Sequence, residues 1–243
     1  MPQSKCVYKR VLLKLSGEGL AGTEQFGISA DALNRLAGEI LEVHALGVEL
    51  AVVVGGGNIL RGSAFAKSSG FPAATSHYMG MLATVMNALA LQEAVEALGM
   101  EASVLSSLPV NSVCETFFRR RCLQHLGKGR VVILAGGTGR PFVTTDTAAA
   151  LGAAEISADA VIKATQVDGV YSADPKKDPK ARLYDRLTYD QVINDRLGVM
   201  DLSAVELCQK NRIPIIVFNL HKSGNLKRVL MGEPVGTVVS AQG

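Results

Sequence analysis

Short apolar runs of strand length recur along this chain, and stretches with helical periodicity separate them. The runs are Val11 to Leu15, Val48 to Val54, Ala102 to Leu105, Val131 to Leu134, Ala160 to Ala164 and Ile215 to Phe218, with a last one near Val238. Strands covered on both faces read as continuous apolar runs, and their alternation with helices predicts a mostly parallel sheet between two helical layers. The expected fold class is α/β. Ser29 is placed to cap a helix with Leu33, Leu36 and Ile40 on its apolar face, ending near Gly47. A long helix is expected from His77 to Leu98, with Tyr78, Leu82, Val85 and Leu89 on one face and Met79 and Met86 beside it, a Met content that reads as a plain core helix. Thr144 or Thr145 caps a later helix, Thr188 and Gln191 form a capping box, and a further helix starts near Asp201.

A chain of 243 residues, 48% of them apolar, can bury a core without staples. We read one domain with two lobes, about 7–160 and 161–240, joined by one sheet. The cysteines Cys6, Cys114, Cys122 and Cys208 are scattered, so neither a zinc site nor a disulfide framework is expected. The N-terminus lacks a signal-peptide pattern, no apolar stretch has membrane-spanning length, and the formal net charge is only +3. The expectation is a cytoplasmic protein with no membrane or nucleic-acid partner. Arg119, Arg120 and Arg121 read as a solvated helix face, and His44, His125 and His221 receive no role.

Four strand ends carry unusual residues: "KLSGEG" from Lys14, "GGGNILRG" from Gly55, "GGTGRPFVTTD" from Gly136 and "KATQVDGVYSADP" from Lys163. Ligands of parallel α/β sheets bind beyond the carboxyl ends of the strands, so the four turns point to one shared site. The P-loop and dinucleotide fingerprints are both absent. What is left is an anion site of backbone N–H groups, helix N-termini and the cations Lys14, Arg61 and Lys163. Lys14 and Lys163 stand in apolar strands, where a solvated lysine is out of place. Asp146, at a helix start, is a candidate permanent partner for them, and a transferred phosphoryl group a transient one. Alone, Gly55 to Gly57 also reads as a tight turn, each lysine as one that snorkels from a strand end, and Asp174 as a turn former before Pro175.

The ordered set "LLKLSGE", "GGGNILRG", "HYMGMLATVMNALAL", "AGGTGRPFVTTDTAA", "KATQVDGVYSADP" and "VMDLSA" resembles the bacterial uridylate (UMP) kinases of the amino-acid-kinase family, from about Val7 to Val239. The resemblance implies a three-layer αβα sandwich, phosphoryl transfer from ATP with Mg²⁺ to UMP, and a homohexamer. It implies Lys14, Arg61, Asp146 and Lys163 as the catalytic set, with Asp146 orienting the lysines. Lys14, Leu15, Ser16, Gly17, Gly57, Arg61, Thr165, Tyr171 and Asp174 would line the ATP site, on the side of the lobe 161–240. Gly56, Thr138, Gly139, Pro141, Phe142, Thr144 and Thr145 would hold UMP, on the side of the lobe 7–160. Gly22, Thr23, Glu24, Phe26 and Gly27 resemble the effector segment for a GTP activator, and UTP is an inhibitor in some members; no protein metal site is implied. Three positions depart from the pattern: His77 replaces an Asp that binds ribose, Arg140 an Asn, and Gln166 a Lys. Other readings are a kinase of the same fold acting on a carboxylate or carbamate, and a catalytically silent nucleotide-binding subunit. The helix "MGMLATVMN" and the TTD turn speak against the first, the retained lysines and Asp146 against the second.

Overall fold

The computed structural model describes residues 6–24, 26–175 and 177–243. In chain order its elements are β1 (Arg10–Leu15), α1 (Glu18–Ala21), α2 (Ala30–His44), β2 (Glu49–Val54), α3 (Gly62–Ser69), α4 (Ala73–Glu96), β3 (Ala102–Ser106), β4 (Glu115–Thr116), α5 (Arg119–Gly127), β5 (Val131–Ala135), α6 (Thr145–Ile156), β6 (Ala160–Thr165), β7 (Arg186–Thr188), α7 (Tyr189–Asn194), α8 (Leu202–Asn211), β8 (Ile215–Asn219), α9 (Asn225–Leu230) and β9 (Thr237–Ser240). The strands form one sheet in the order β4-β3-β5-β2-β1-β6-β8-β9-β7. Its neighbouring strands are parallel except β8 and β9. The strands from β4 to β1 in this order come from the first 160 residues, and the sheet continues without a break into β6 and β8.

Each central strand divides its side chains between two cores. Val11, Leu13 and Leu15 pack with Leu36 and Ile40 of α2, Leu91 of α4 and Leu226 of α9. Leu12 packs on the other face with Cys122 of α5, Ala149 and Ala153 of α6, and Val205 of α8. Leu12 and Leu13 are both fully buried, each contributing about 1.5–3 kcal/mol of transfer free energy. This is the three-layer αβα arrangement. Ser29 accepts from the Ala32 N–H, and the Thr188–Gln191 capping box forms. Thr144, not Thr145, is the cap of α6, accepting from the Thr147 N–H.

Helix α6 lies close to the sheet because it is built of small residues. Ala148, Ala149, Ala150 and Ala153 are buried along it. A Cβ on Gly152 would come within 3.2 Å of Leu12 and 3.3 Å of Leu134.

Helix α4 corrects the sequence reading twice. It starts at Ala73 rather than His77. The apolar face read there is split: Tyr78 is 39% exposed and Leu82 46%, with Met86 beside them at 55%, while Val85 is buried and Leu89 packs half-buried against the core. The buried side carries Met81, Thr84, Asn87, Ala88 and Leu91 instead. Apolar residues fall all round this helix, so periodicity alone carries no information about which side meets the sheet. The two-residue strand β4, the edge strand β7 and the helices α3 and α9 were not anticipated; each is short, and the buried Leu226, Val229 and Leu230 of α9 span barely more than one turn.

Candidate active site

The pleat of the sheet explains where the strand lysines go. Successive side chains alternate between faces, so Lys14 shares the face of Leu12, and Lys163 that of Val161, toward α6. Strands β1 and β6 are adjacent and in register, with Lys14 directly opposite Lys163. Asp146 stands in the first turn of α6, where a carboxylate also favours the helix dipole. Its Oδ1 lies 2.9 Å from Lys14 Nζ and its Oδ2 2.8 Å from Lys163 Nζ.

The two lysines are held differently. Lys163 donates to Asp146 Oδ2 and, at 2.6 Å, to the carbonyl of Val199. Lys14, also buried, has Asp146 Oδ1 as its one polar partner among the described residues. Its N–H groups are therefore the less committed pair of hands. Burial alone would raise the Asp146 carboxyl, but Lys14 and Lys163 outweigh it and hold it below the usual carboxylate range. Burial depresses Lys163 below the ordinary lysine value against the pull of Asp146, and the charge of Lys14 depresses it further. Two ammonium groups against one carboxylate leave a buried positive charge, and a low-dielectric site of this kind favours an anion.

Two glycine-rich turns border this cluster. Gly17 and the loop Gly55–Gly57 are packed backbone to backbone: a Cβ on Gly17 would sit 2.7 Å from Gly57 N and 2.9 Å from the Gly55 carbonyl. Gly56 is small for another reason, because its Cβ would strike the Gly80 carbonyl of α4 at 2.6 Å. A Cβ on Gly57 would meet only the Arg61 side chain, at 3.6 Å, so its Cα side faces Arg61 and the cavity they both line. Buried polar groups of α4 tie down the Gly55–Gly57 loop and a third glycine turn at Gly136. Asn87 donates to the Gly55 carbonyl at 2.7 Å, and Thr84 Oγ1 accepts from the Gly136 N–H at 2.7 Å.

Between these turns lies a cavity of about 300 Å³, lined by Gly56, Gly57, Arg61, His77, Arg140, Thr144 and Thr145 among others. Arg61 is exposed and paired with Glu18. Thr144 donates its hydroxyl to Asp201 at the N-cap of α8, and Thr147 and Ser203 hydroxyls meet at 3.0 Å. The segment 199–203 thus reaches both Lys163 and the start of α6.

A family model for the amino acid kinase family matches residues 9–219. The chain belongs to the amino acid kinase family. It is 53% identical over 237 residues to a uridylate kinase of Paramagnetospirillum magneticum, covering 98% of each chain. Among solved structures, a UMP kinase from Bacillus anthracis superposes with a TM-score of 0.94 at 39% identity, covering 97% of each chain. A UMP kinase from Ureaplasma parvum superposes with a TM-score of 0.90 at 35% identity, covering 96% of this chain and 98% of that one.

In this amino acid kinase, Lys14, Asp146 and Lys163 meet, and Gly56, Gly57, Arg61, Thr144 and Thr145 share the cavity beside them. The remaining expected residues are spread more widely. Thr138 borders a second cavity of about 250 Å³ with Gly137 and Leu151. Gly139 has φ +71° and donates its N–H to the Gly136 carbonyl, while Phe142 is 68% exposed and neither it nor Pro141 lines these two cavities. Leu15 points its side chain into the core on the α2 face, so its backbone alone can meet a ligand. Ser16 and Thr165 border a narrow cleft with Gly19 and Leu220, and the Thr165 hydroxyl donates toward the carbonyls of Val167 and Phe218. Tyr171 bridges to Leu183, and Asp174 opens the turn to Asp178.

In the segment from Gly22 to Gly27, Gln25 lies outside the described residues. Gly27 exchanges hydrogen bonds with Asn58, Phe26 is 69% exposed, the Glu24 N–H bonds to Ala21, and Gly22, next to Thr23, packs on Ser29. Sequence reasoning missed Thr84, Asn87 and Asp201. The signal for the first two was present as polar residues three apart within the apolar middle of the helix, Met79 to Leu91. His125, left without a role or partner, is in fact buried between Ser103, at 3.1 Å, and Glu115, at 3.0 Å.

Proposed function

We propose that this amino acid kinase transfers the γ-phosphoryl group of ATP to UMP, giving ADP and UDP. The observation that carries the chemistry is the pair of buried lysines sharing one carboxylate. The acceptor follows from the 53% identical uridylate kinase that matches end to end. A catalytically silent subunit is disfavoured, since it would keep two desolvated lysines without need.

An oxygen of the UMP phosphate attacks the γ-phosphorus as the bond to the β-phosphate oxygen breaks. This reaction asks the protein for position and charge neutralisation, with little covalent chemistry. Lys14, with its N–H groups least committed, takes the oxygens of the passing phosphoryl group. Lys163 stabilises the same charge from the ATP side, and Asp146 holds both ammonium groups in place. Arg61 exchanges Glu18 for phosphate. Gly57, which lines the cavity, and the N-terminal amides of α6 at Thr144 and Thr145 receive phosphate oxygens.

Lys14 to Gly17, Thr165, Tyr171 and Asp174 form the ATP side, and Gly56 with the turn Thr138 to Thr145 the UMP side. Mg²⁺ arrives with ATP, held mainly by the phosphates; among the described residues no cluster of three or more His, Cys, Asp or Glu is arranged for a metal. The exposed apolar stripe of Tyr78, Leu82 and Met86 on α4 supports assembly, for which we propose a homohexamer. Gly22 to Gly27 is proposed as the GTP-responsive segment, close to the active site through its bonds to Asn58, with UTP as a feedback inhibitor. Among the described residues no helix is long and apolar enough to cross a membrane, which is compatible with the proposed cytoplasmic location.

The test is ADP release from MgATP with UMP, CMP, AMP and N-acetylglutamate supplied separately. Turnover confined to UMP is expected; turnover with N-acetylglutamate alone, or with none in a sample that binds ATP, would overturn the assignment. A second expectation concerns pH. Lys163 must keep its proton to act as a cation, and its value in the fold is depressed. The rate contribution is therefore complete at pH well below that lowered value and lost as pH rises through it. In kcat/KM, which reports the free enzyme, the alkaline limb should fall below the ordinary lysine value of 10.5. A profile flat through that pH would remove Lys163 from the chemistry.

A further inference from the structure

We infer that His77 is a positioning residue for the acceptor loop, acting through its ring contact with Phe142. This rests on the reading that the 300 Å³ cavity receives UMP. The loop that closes one side of that cavity is anchored only in part. Gly136 is held by Thr84, Gly137 by Ser107 and Gly139 by Gly136. At its other end Thr144 is fixed as the cap of α6 and by Asp201.

Between these anchors, Phe142 has φ +67°. For a bulky residue the left-handed region is a true outlier, kept only where the surroundings hold it. The Phe142 ring is 68% exposed, so core packing does not hold it. What does touch it is the imidazole of His77, with ring centroids 5.1 Å apart and planes tilted by 48°. His77 sits on the first turns of α4, which also supplies the cavity wall through Gly80, Met81 and Thr84. Its ring thus ties the loop tip to the wall opposite. Arg140, Val143 and Thr144, flanking Phe142 in the chain, all line the cavity. Releasing Phe142 lets the tip relax from its strained conformation and moves those three residues relative to the bound acceptor.

The role assigned to His77 is packing by an aromatic ring, not a hydrogen bond to the acceptor, and the two are separable by substitution. His77→Ala should raise KM for UMP about tenfold, with kcat within about threefold and KM for ATP unchanged. His77→Phe restores the ring contact and should return KM for UMP to within about threefold of wild type. His77→Asn keeps a polar group without the ring and should resemble His77→Ala. An unchanged KM in His77→Ala, or His77→Asn matching or bettering His77→Phe, overturns the proposal. A second readout does not depend on the acceptor. The chain has no tryptophan, so Phe142→Trp installs a single reporter on the loop. Adding His77→Ala in that background should lower its fluorescence anisotropy in the nucleotide-free enzyme, at unchanged oligomer size. Equal anisotropy would mean that the ring does not hold the loop, whatever the enzyme phosphorylates. Failure of the wild type to turn over UMP would strike the acceptor assignment and leave the anisotropy result standing.

Discussion

Lys14→Ala should lower kcat by at least about a hundredfold, the scale seen when one preorganised stabilising group is removed from a transition state. Lys14 is the cation whose N–H groups are least committed in the structure. Its stem lies in the strand between Leu13 and Leu15, so alanine also opens a small void. Lys14→Met, which keeps the stem and drops the charge, separates the two effects and should be equally inactive. The fold should survive both changes, because Asp146 retains Lys163 as a partner at 2.8 Å. Measured turnover near that of wild type, in a variant of normal oligomer size, would sink the assigned role.

Asp146→Asn should be nearly as damaging and should differ in kind. The two lysines would face each other with no carboxylate between them, so their like charges push apart or Lys163 loses its proton. We expect kcat to fall by about a hundredfold or more while KM for ATP changes little, since the carboxylate orients the cations rather than touching the nucleotide. The alkaline limb should also move to lower pH, because Asp146 is what opposes the depression of Lys163. Removing one partner of a buried ion pair costs roughly 3–5 kcal/mol in general, so a lower melting temperature is expected. Sign matters here. The Asp146 carboxyl is held below its ordinary value, so its stabilisation is present at neutral pH and lost as pH falls through that lowered value. The Asn variant should therefore lose part of the acid sensitivity of the wild type. An unchanged rate and an unmoved alkaline limb would exclude Asp146 from its place between the lysines.

Much of the site was legible in the strands themselves. Lys14 follows Leu12, and Lys163 follows Val161, by one full pleat, so both lysines had to face the same way as their apolar neighbours two residues back. Buried cations at the carboxyl ends of parallel strands point to an anion without any coordinates. Helix α6 was equally legible, from its threonine cap and its first-turn aspartate. The long helix α4 was not. Its buried side, with Thr84 and Asn87 holding the glycine turns at Gly136 and Gly55, could not be told from its exposed side, since apolar residues surround it.

The amino-acid sequence by itself determined the layered α/β class, the positions of the longer apolar strands and the parity that puts each lysine on the face of its apolar neighbour two residues back, because these follow from local periodicity. Only the tertiary structure decided that β1 and β6 are neighbours with Lys14 opposite Lys163, though 149 positions separate them in the chain. It also decided that Asp146 lands between them and that His77 meets Phe142. The physical reason is that strand order is set by how crossovers pack. How near α6 comes to the sheet is set by the small residues in its contact face, and no period in the sequence records either distance.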